Sequence, residues 1–177
     1  MAENARAHIW AMRALFTALC ALVIFWRVLP LSTVPAGWAG PDIITALAFA
    51  WVLRRPQFVP PLLIALIVLL TDLMFQRPPG LWAALVVLGC ETLKARAPGL
   101  RDMGFGPEWL MVGITALGIT LLYRLSLAIL LVPQAPLGLS LMQMAMTVLC
   151  YPLVVMVSSF LLGVRKARPS EGGRGRI

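Results

Sequence analysis

Few side chains in this 177-residue chain are capable of chemistry, and their spacing argues against a catalytic set. Cys20, Cys90 and Cys150 lie in apolar segments, without metal-ligand spacing or a nearby histidine pair, so each is expected to behave as a small apolar residue. The acidic residues are isolated on different segments. The sequence also has no GxSxG or HExxH motif and no phosphate-binding glycine loop. We therefore expect no enzyme activity, no catalytic residue, no cofactor and no metal site.

The segments that carry these residues are typical of a membrane protein. The chain is 60% hydrophobic and 12% charged, with a mean hydropathy of +0.90, whereas a soluble domain of this length needs a polar surface. Six apolar blocks follow one another, at about residues 9–29, 42–53, 57–75, 81–93, 108–131 and 137–164. The sequence predicts an all-α membrane protein, a compact bundle of six transmembrane helices over residues 1–164. A basic, disordered cytoplasmic tail is expected at residues 165–177.

The six blocks differ in length, and the difference is informative. About 20 helical residues cross the hydrocarbon core of a bilayer. The first, third, fifth and sixth blocks meet this length, whereas the second and fourth are too short, and must be shielded by neighbouring helices or lie where the protein is thin. Tryptophans near the predicted helix ends indicate an interfacial belt. These are Trp10, Trp26, Trp38, Trp51, Trp82 and Trp109.

The positive charges predict the orientation in the membrane. All but three of the fifteen Lys and Arg residues lie before or at the start of the first block, after the last, or in alternate connections between blocks. This asymmetry places both termini in the cytoplasm of a bacterial inner membrane protein. The first block is interpreted as an uncleaved span, because it is longer than a signal-peptide core and contains Arg27. The net charge of +8 flanks the spans and fits anionic lipids better than nucleic acid.

Charged residues within or beside the apolar blocks need a physical reason, because an ionised group at bilayer depth is costly. Arg27, Asp42, Asp72, Arg77 and Arg124 are all predicted near the outer face. Arg27 with Asp42, and Asp72 with Arg124, are the expected pairs. Asp42 follows a proline and is also expected to cap the second helix.

The cytoplasmic end carries a second set of charges, in which Glu91 precedes Lys94 by one helical turn. The charges at both ends either lock the bundle together or form a binding site for a partner helix or a polar ligand, and the sequence leaves both interpretations open. The structural or partner-binding candidates are Arg27, Asp42, Arg54, Arg55, Pro56, Asp72, Glu91 and Arg124.

Short motifs in order along residues 40–95 resemble the MreD family, small membrane proteins of the bacterial rod-shape machinery. Pro41-Asp42 opens a short helix that ends in the segment FAWVLRRP at Phe49–Pro56. The segments LTDLM at Leu70–Met74 and RPPGLW at Arg77–Trp82 follow. The length of the chain and its six apolar blocks also fit this family.

The resemblance implies a non-enzymatic scaffold of the elongasome, the complex that synthesises peptidoglycan and controls cell shape. It implies binding to the bitopic protein MreC, and through MreC to MreB, RodA and its penicillin-binding transpeptidase. It also implies a fold similar to the substrate-binding subunits of energy-coupling-factor transporters. Gly113, Ala116 and Gly118 are expected to allow close approach of a partner helix, although packing within the bundle explains them equally well.

An alternative function belongs to a different class of protein. In this alternative, the chain is a substrate-binding membrane subunit or a small-solute transporter, and the charges near the outer face line an outward-facing polar pocket. Co-purification with a bitopic partner, against retention of a small ligand, separates the two functions.

Reporter domains that are active only outside the cytoplasm test the predicted topology. A reporter fused after Ile177 is expected to stay inactive, whereas one fused near Pro136 is expected to be active, because the Lys and Arg residues hold the termini inside. An active reporter at Ile177 would contradict the arrangement of six spans.

Overall fold

The computed structural model describes residues 2–29, 39–100, 103–160 and 164 of the chain. These residues form α-helices joined by short connections, with one turn of 3-10 helix at Pro56–Phe58. The fold class of this part is all-α, as the sequence predicts. The helices are α1 (Ala2–Val28), α2 (Ile43–Arg54), α3 (Pro61–Met74), α4 (Leu81–Leu100), α5 (Phe105–Ile129) and α6 (Leu137–Phe160). The predicted tail at residues 165–177 lies outside the described residues.

Three of these helices are long and apolar enough to cross a membrane, namely α1, α5 and α6. They contain 27, 25 and 24 residues, more than the roughly 20 that a bilayer core requires. Large apolar side chains such as Phe25, Leu121 and Leu153 are exposed on their outer faces. An apolar surface of this extent fits a lipid environment. The protein is therefore an α-helical protein embedded in a membrane.

Two helices differ in length from the predicted blocks. The third block is expected to span the membrane by itself, but α3 has only 14 residues. The start of that block forms the 3-10 turn, and α3 begins only at Pro61, where the missing N–H of a proline costs little. The fourth block is expected to be too short, but α4 has 20 residues. It continues through residues 93–96, Leu-Lys-Ala-Arg, which all favour helix.

The short helix α2 forms the centre of the bundle. It has 12 residues, and every residue from Ile44 to Arg54 is buried. It packs against α4 and α6, and it also contacts α1 and the 3-10 turn. Phe16 of α1 lies against the indole of Trp51, with ring centroids 5.2 Å apart. The prediction that neighbouring helices shield this short segment is confirmed.

The tryptophans follow the predicted interfacial belt only in part. Trp10 and Trp26 of α1 are exposed, which suits side chains at a membrane surface. Trp51 is completely buried, and its indole Nε1 donates a hydrogen bond to Ser158 Oγ at 3.2 Å. The prediction is wrong for Trp51 because α2 is enclosed by the other helices and has no membrane-facing side. Trp38 lies outside the described residues.

Gly89 lets α4 lie close to its neighbours. A Cβ atom at this position would lie 3.3 Å from ring atoms of Phe49 in α2 and 3.2 Å from Thr115 Cγ2 in α5. Both separations are tighter than ordinary van der Waals contact. Gly99 on the same helix has no atom within 4 Å of the equivalent position.

Replacement of Gly89 by alanine is expected to lower the stability of the bundle by about 1–3 kcal/mol, since overpacking forces the Phe49 ring or Thr115 to move. Gly99→Ala is the matched control, because it adds the same methyl group to the same helix in open space. Thermal unfolding of both variants in detergent provides the measurement. Equal melting temperatures would show that the contact between α4 and α2 tolerates the methyl group.

Candidate functional site

Asp42 caps the N-terminus of α2, as the sequence predicts. Its carboxylate accepts hydrogen bonds from Thr45 N at 3.3 Å and from Thr45 Oγ1 at 2.9 Å. The backbone N–H of Asp42 donates to Thr147 Oγ1 of α6 at 2.8 Å. This residue therefore begins α2 and also connects it to α6. We call this end of the bundle the Asp42 end and the opposite one, where α2 stops, the Arg54 end.

Arg27 does not form the expected ion pair with Asp42. Its guanidinium donates a hydrogen bond to the carbonyl of Pro41, one residue earlier, and lies over the ring of Phe75 at 5.7 Å from its centroid. The predicted pair is wrong because the Asp42 carboxylate is directed to its own helix. Arg27 still connects α1 to the start of α2, through a backbone oxygen instead of a carboxylate.

Asp72 holds the connection between α3 and α4 and is not paired with Arg124. Its Oδ2 accepts hydrogen bonds from the backbone N–H groups of Gly80 at 3.1 Å and Ala83 at 3.2 Å, and the side chain is completely buried. The backbone N–H of Arg77 also donates to the Asp72 carbonyl at 2.9 Å. The expected pair is wrong because the free N–H groups at the start of α4 compete for the carboxylate.

Arg124 instead organises the connection between α5 and α6. Its Nη1 donates to the carbonyl of Ala135 at 3.0 Å and to Ser140 Oγ at 2.8 Å. Gln134 Nε2 donates in turn to the Arg124 carbonyl at 3.0 Å. The guanidinium is therefore held in place by neutral oxygens.

The polar groups at the Asp42 end surround a cavity of about 400 Å³. Three of the five charged residues predicted near the outer face, Asp42, Arg77 and Arg124, line it, whereas Asp72 lies behind the connection between α3 and α4. The other polar residues in the lining are Thr45, Gln76, Thr120, Tyr123, Gln134, Ser140, Gln143 and Thr147. The arrangement can bind a polar ligand.

The Arg54 end contains a buried ion pair that the sequence analysis missed. Arg54 Nη1 lies 2.8 Å from Glu108 Oε1, and the two side chains are 5% and 1% exposed. Tyr151 donates its hydroxyl to the same Glu108 oxygen at 2.7 Å. The ring of Phe105 stacks on Tyr151, with centroids 6.2 Å apart. This network joins α2, α5 and α6 at a single point.

The ion pair of Glu108 was not predicted, because an acidic residue in the first turn of a helix is usually explained by the helix dipole. The signal that identifies it is the predicted topology, which places Glu108 and Arg54 at the same membrane face. Arg55 caps the C-terminus of α2, since its N–H donates to the Trp51 carbonyl at 2.7 Å. Pro56 begins the 3-10 turn that follows.

The remaining candidate, Glu91, forms the predicted local pair with Lys94, with both carboxylate oxygens 3.1 Å from Lys94 Nζ. The two side chains are 44% and 41% exposed, so this pair adds little stability. Cys20 and Cys90 are buried, and Cys150 is half-buried. Among the residues that the structure describes, no group of three His, Cys, Asp or Glu side chains is arranged to hold a metal ion.

Comparison of the chain with models of known families, with curated proteins and with solved structures gives no match.

Loss of one partner of the buried ion pair is expected to cost about 3–5 kcal/mol, because the other charge is left buried and uncompensated. Glu108→Gln and Arg54→Met should each lower the melting temperature in detergent strongly. The double variant should lose less than the sum of the single changes, because neither charge then remains. Glu91→Gln is the control, since its pair is exposed. Strictly additive losses would show that Arg54 and Glu108 do not stabilise each other.

Proposed function

We propose that this protein is a member of the MreD family, a non-enzymatic scaffold of the elongasome in the bacterial inner membrane. The observation that carries the proposal is the ordered set of motifs over residues 40–95. Three of their charged residues have structural roles, since Asp42 caps α2, Arg54 pairs with Glu108, and Asp72 holds the start of α4. This use of the motif supports a protein that works by presenting a rigid surface.

The surface that best fits a single transmembrane helix is a groove between α3 and α4. Ala65 and Leu69 of α3 line one wall, and Gly80, Ala84 and Val87 line the other. Small residues at this spacing allow two helix backbones to approach closely in a membrane. The groove runs from Gly80, immediately before α4, to Glu91 within it, about 16 Å at 1.5 Å per residue. We assign it to the single span of the bitopic partner, MreC.

The small residues singled out on α5 fit a partner helix less well. Ala116 is buried and lines the cavity at the Asp42 end. A Cβ on Gly113 would lie 3.6 Å from Val148 of α6, so this glycine packs inside the bundle. Gly118 has open space around it but lacks the small neighbours that form the groove between α3 and α4.

A larger side chain in the groove between α3 and α4 is expected to reduce partner binding without affecting folding. Ala84 is exposed in the groove, so Ala84→Leu is expected to leave the melting temperature unchanged while reducing co-purification of the bitopic partner at least fivefold. Cells that depend on this variant should widen or become round, because the wall-synthesis complex then lacks its scaffold.

The matched control is Ala128→Leu, which makes the same change at an exposed position on α5, outside the groove. It should bind the partner and support cell shape as the unmodified protein does. Normal partner binding by Ala84→Leu would exclude the groove as the docking site. Normal cell shape after complete depletion of the protein would exclude the scaffold function itself.

The second candidate is a substrate-binding membrane subunit, and the cavity at the Asp42 end is the observation that favours it. Retention of a small ligand by the purified protein, with normal cell shape after depletion, would favour this function over the scaffold.

A further inference from the structure

The cavity at the Asp42 end exists because α2 begins deep within the bundle. The backbone N–H of Asp42 bonds to Thr147, ten residues after α6 begins at Leu137. At 1.5 Å per residue this places the start of α2 about 15 Å below the start of α6. The space beyond Asp42 is enclosed by α5, α6 and the two connections that precede α4 and α6.

Positive charge exceeds negative charge in the lining that the structure describes. Arg77 and Arg124 face this cavity, and Asp42 is the one carboxylate among its described residues. Both Asp42 oxygens already accept hydrogen bonds from Thr45. The buried carboxylate of Asp72, outside the lining, also attracts the Arg77 charge, but its Oδ2 is held by the backbone N–H groups of Gly80 and Ala83. The two guanidinium groups therefore face the cavity without an ion pair to either carboxylate in the described part of the chain, and a partly enclosed site strengthens their attraction for an anion.

Different contacts position the guanidinium groups of Arg77 and Arg124 in the cavity wall. Arg124 is fixed by Ala135 and Ser140 through one nitrogen, which leaves the rest of its fork available. Arg77 lies over the ring of Trp82 at 5.4 Å from its centroid. No hydrogen bond or ion pair joins the Arg77 guanidinium to any residue within the described ranges. Stacking positions this group without using its donors.

The rest of the lining suits the remainder of a small ligand. Ile119 and Met144 provide apolar surface, while Gln143 offers an amide that can both donate and accept hydrogen bonds. The ring of Tyr123 packs edge-on against Trp82, with centroids 5.2 Å apart. The volume falls within the roughly 300–1,000 Å³ usual for small-molecule sites.

We infer that this cavity binds a phosphate ester, with Arg77 and Arg124 holding the phosphate and Gln143 contacting the polar group attached to it. A phosphate has several oxygens in a tetrahedral arrangement and can accept from two guanidinium forks at once. A carboxylate has two coplanar oxygens, which one fork satisfies. The phosphate ester comes either from a lipid headgroup of the outer leaflet or from a small solute. The site deepens the second candidate function and does not depend on the scaffold.

The experiment uses the purified full chain in a nonionic detergent that contains no phosphate. Dioleoylphosphatidylglycerol, added in mixed micelles, is expected to raise the melting temperature in a saturable manner, whereas dioleoylglycerol, which lacks the phosphate, is not. Arg77→Gln should weaken the apparent affinity at least tenfold, because one fork of the site is lost. Arg6→Gln is the matched control, since it removes an exposed arginine near the start of α1 and should not change the affinity.

A second variant keeps the test informative if Arg77→Gln accumulates poorly. Gln143→Leu retains every charge, and it is expected to weaken binding severalfold by removing a contact to the headgroup. Equal affinity in both variants and the unmodified protein would overturn the proposal. Equal stabilisation by dioleoylglycerol would also overturn it, because the phosphate would then contribute nothing.

Competition by glycerol 3-phosphate identifies the source of the ligand. Displacement of the lipid at millimolar concentration supports a site for the free phosphate ester, whereas binding of the lipid without competition supports a headgroup site. Because the assay contains no partner protein, a negative result would not bear on the proposed scaffold function. Loss of partner binding in Ala84→Leu would likewise not bear on the proposed ligand site.

Discussion

Burial of α2 on all sides is the constraint on which the rest of the structure depends. A helix surrounded by other helices in an apolar environment must find partners for its terminal N–H and C=O groups within the protein. At one end Asp42 supplies an acceptor, and its own N–H reaches Thr147. At the other end Arg54 donates to the Ala50 carbonyl at 3.2 Å and to Glu108. The charged residues of the motif are therefore the means by which a buried helix can end inside a membrane protein.

The length of α2 explains why its two ends look so different. Twelve residues extend about 18 Å, which leaves about 12 Å of a 30 Å bilayer core to be filled. At the Arg54 end the chain continues into the 3-10 turn, where Phe58 is buried against Trp51 with ring centroids 6.4 Å apart. At the Asp42 end the described residues leave a cavity with cationic groups in its wall. Both ends of α2 are thus held by hydrogen bonds, and the Asp42 end also borders a cavity.

Local signals were readable from the sequence, whereas pairing between helices was not. The Asp42 cap follows from one residue and its neighbours, and so does the pair between Glu91 and Lys94. Partners across helices depend on how each helix is rotated, which apolar blocks of almost uniform composition do not specify. The pair expected between Asp72 and Arg124 joins two charges and leaves out the backbone. Backbone groups were the stronger competitors, since Asp72 is occupied by the free N–H groups at the start of α4.

The connection between α3 and α4 links the two surfaces to which function is assigned here. Arg77 and Trp82 line the cavity, while Gly80, between them in the chain, lines the groove. Gly80 has a φ of +86°, a conformation that a residue with a side chain rarely adopts. Asp72 fixes this connection from beneath. The same short segment therefore forms part of the cavity and part of one wall of the groove. Asp72 and Gly80 shape this segment, whereas Arg77 faces the cavity, so the same motif is compatible with a scaffold and with a substrate-binding subunit.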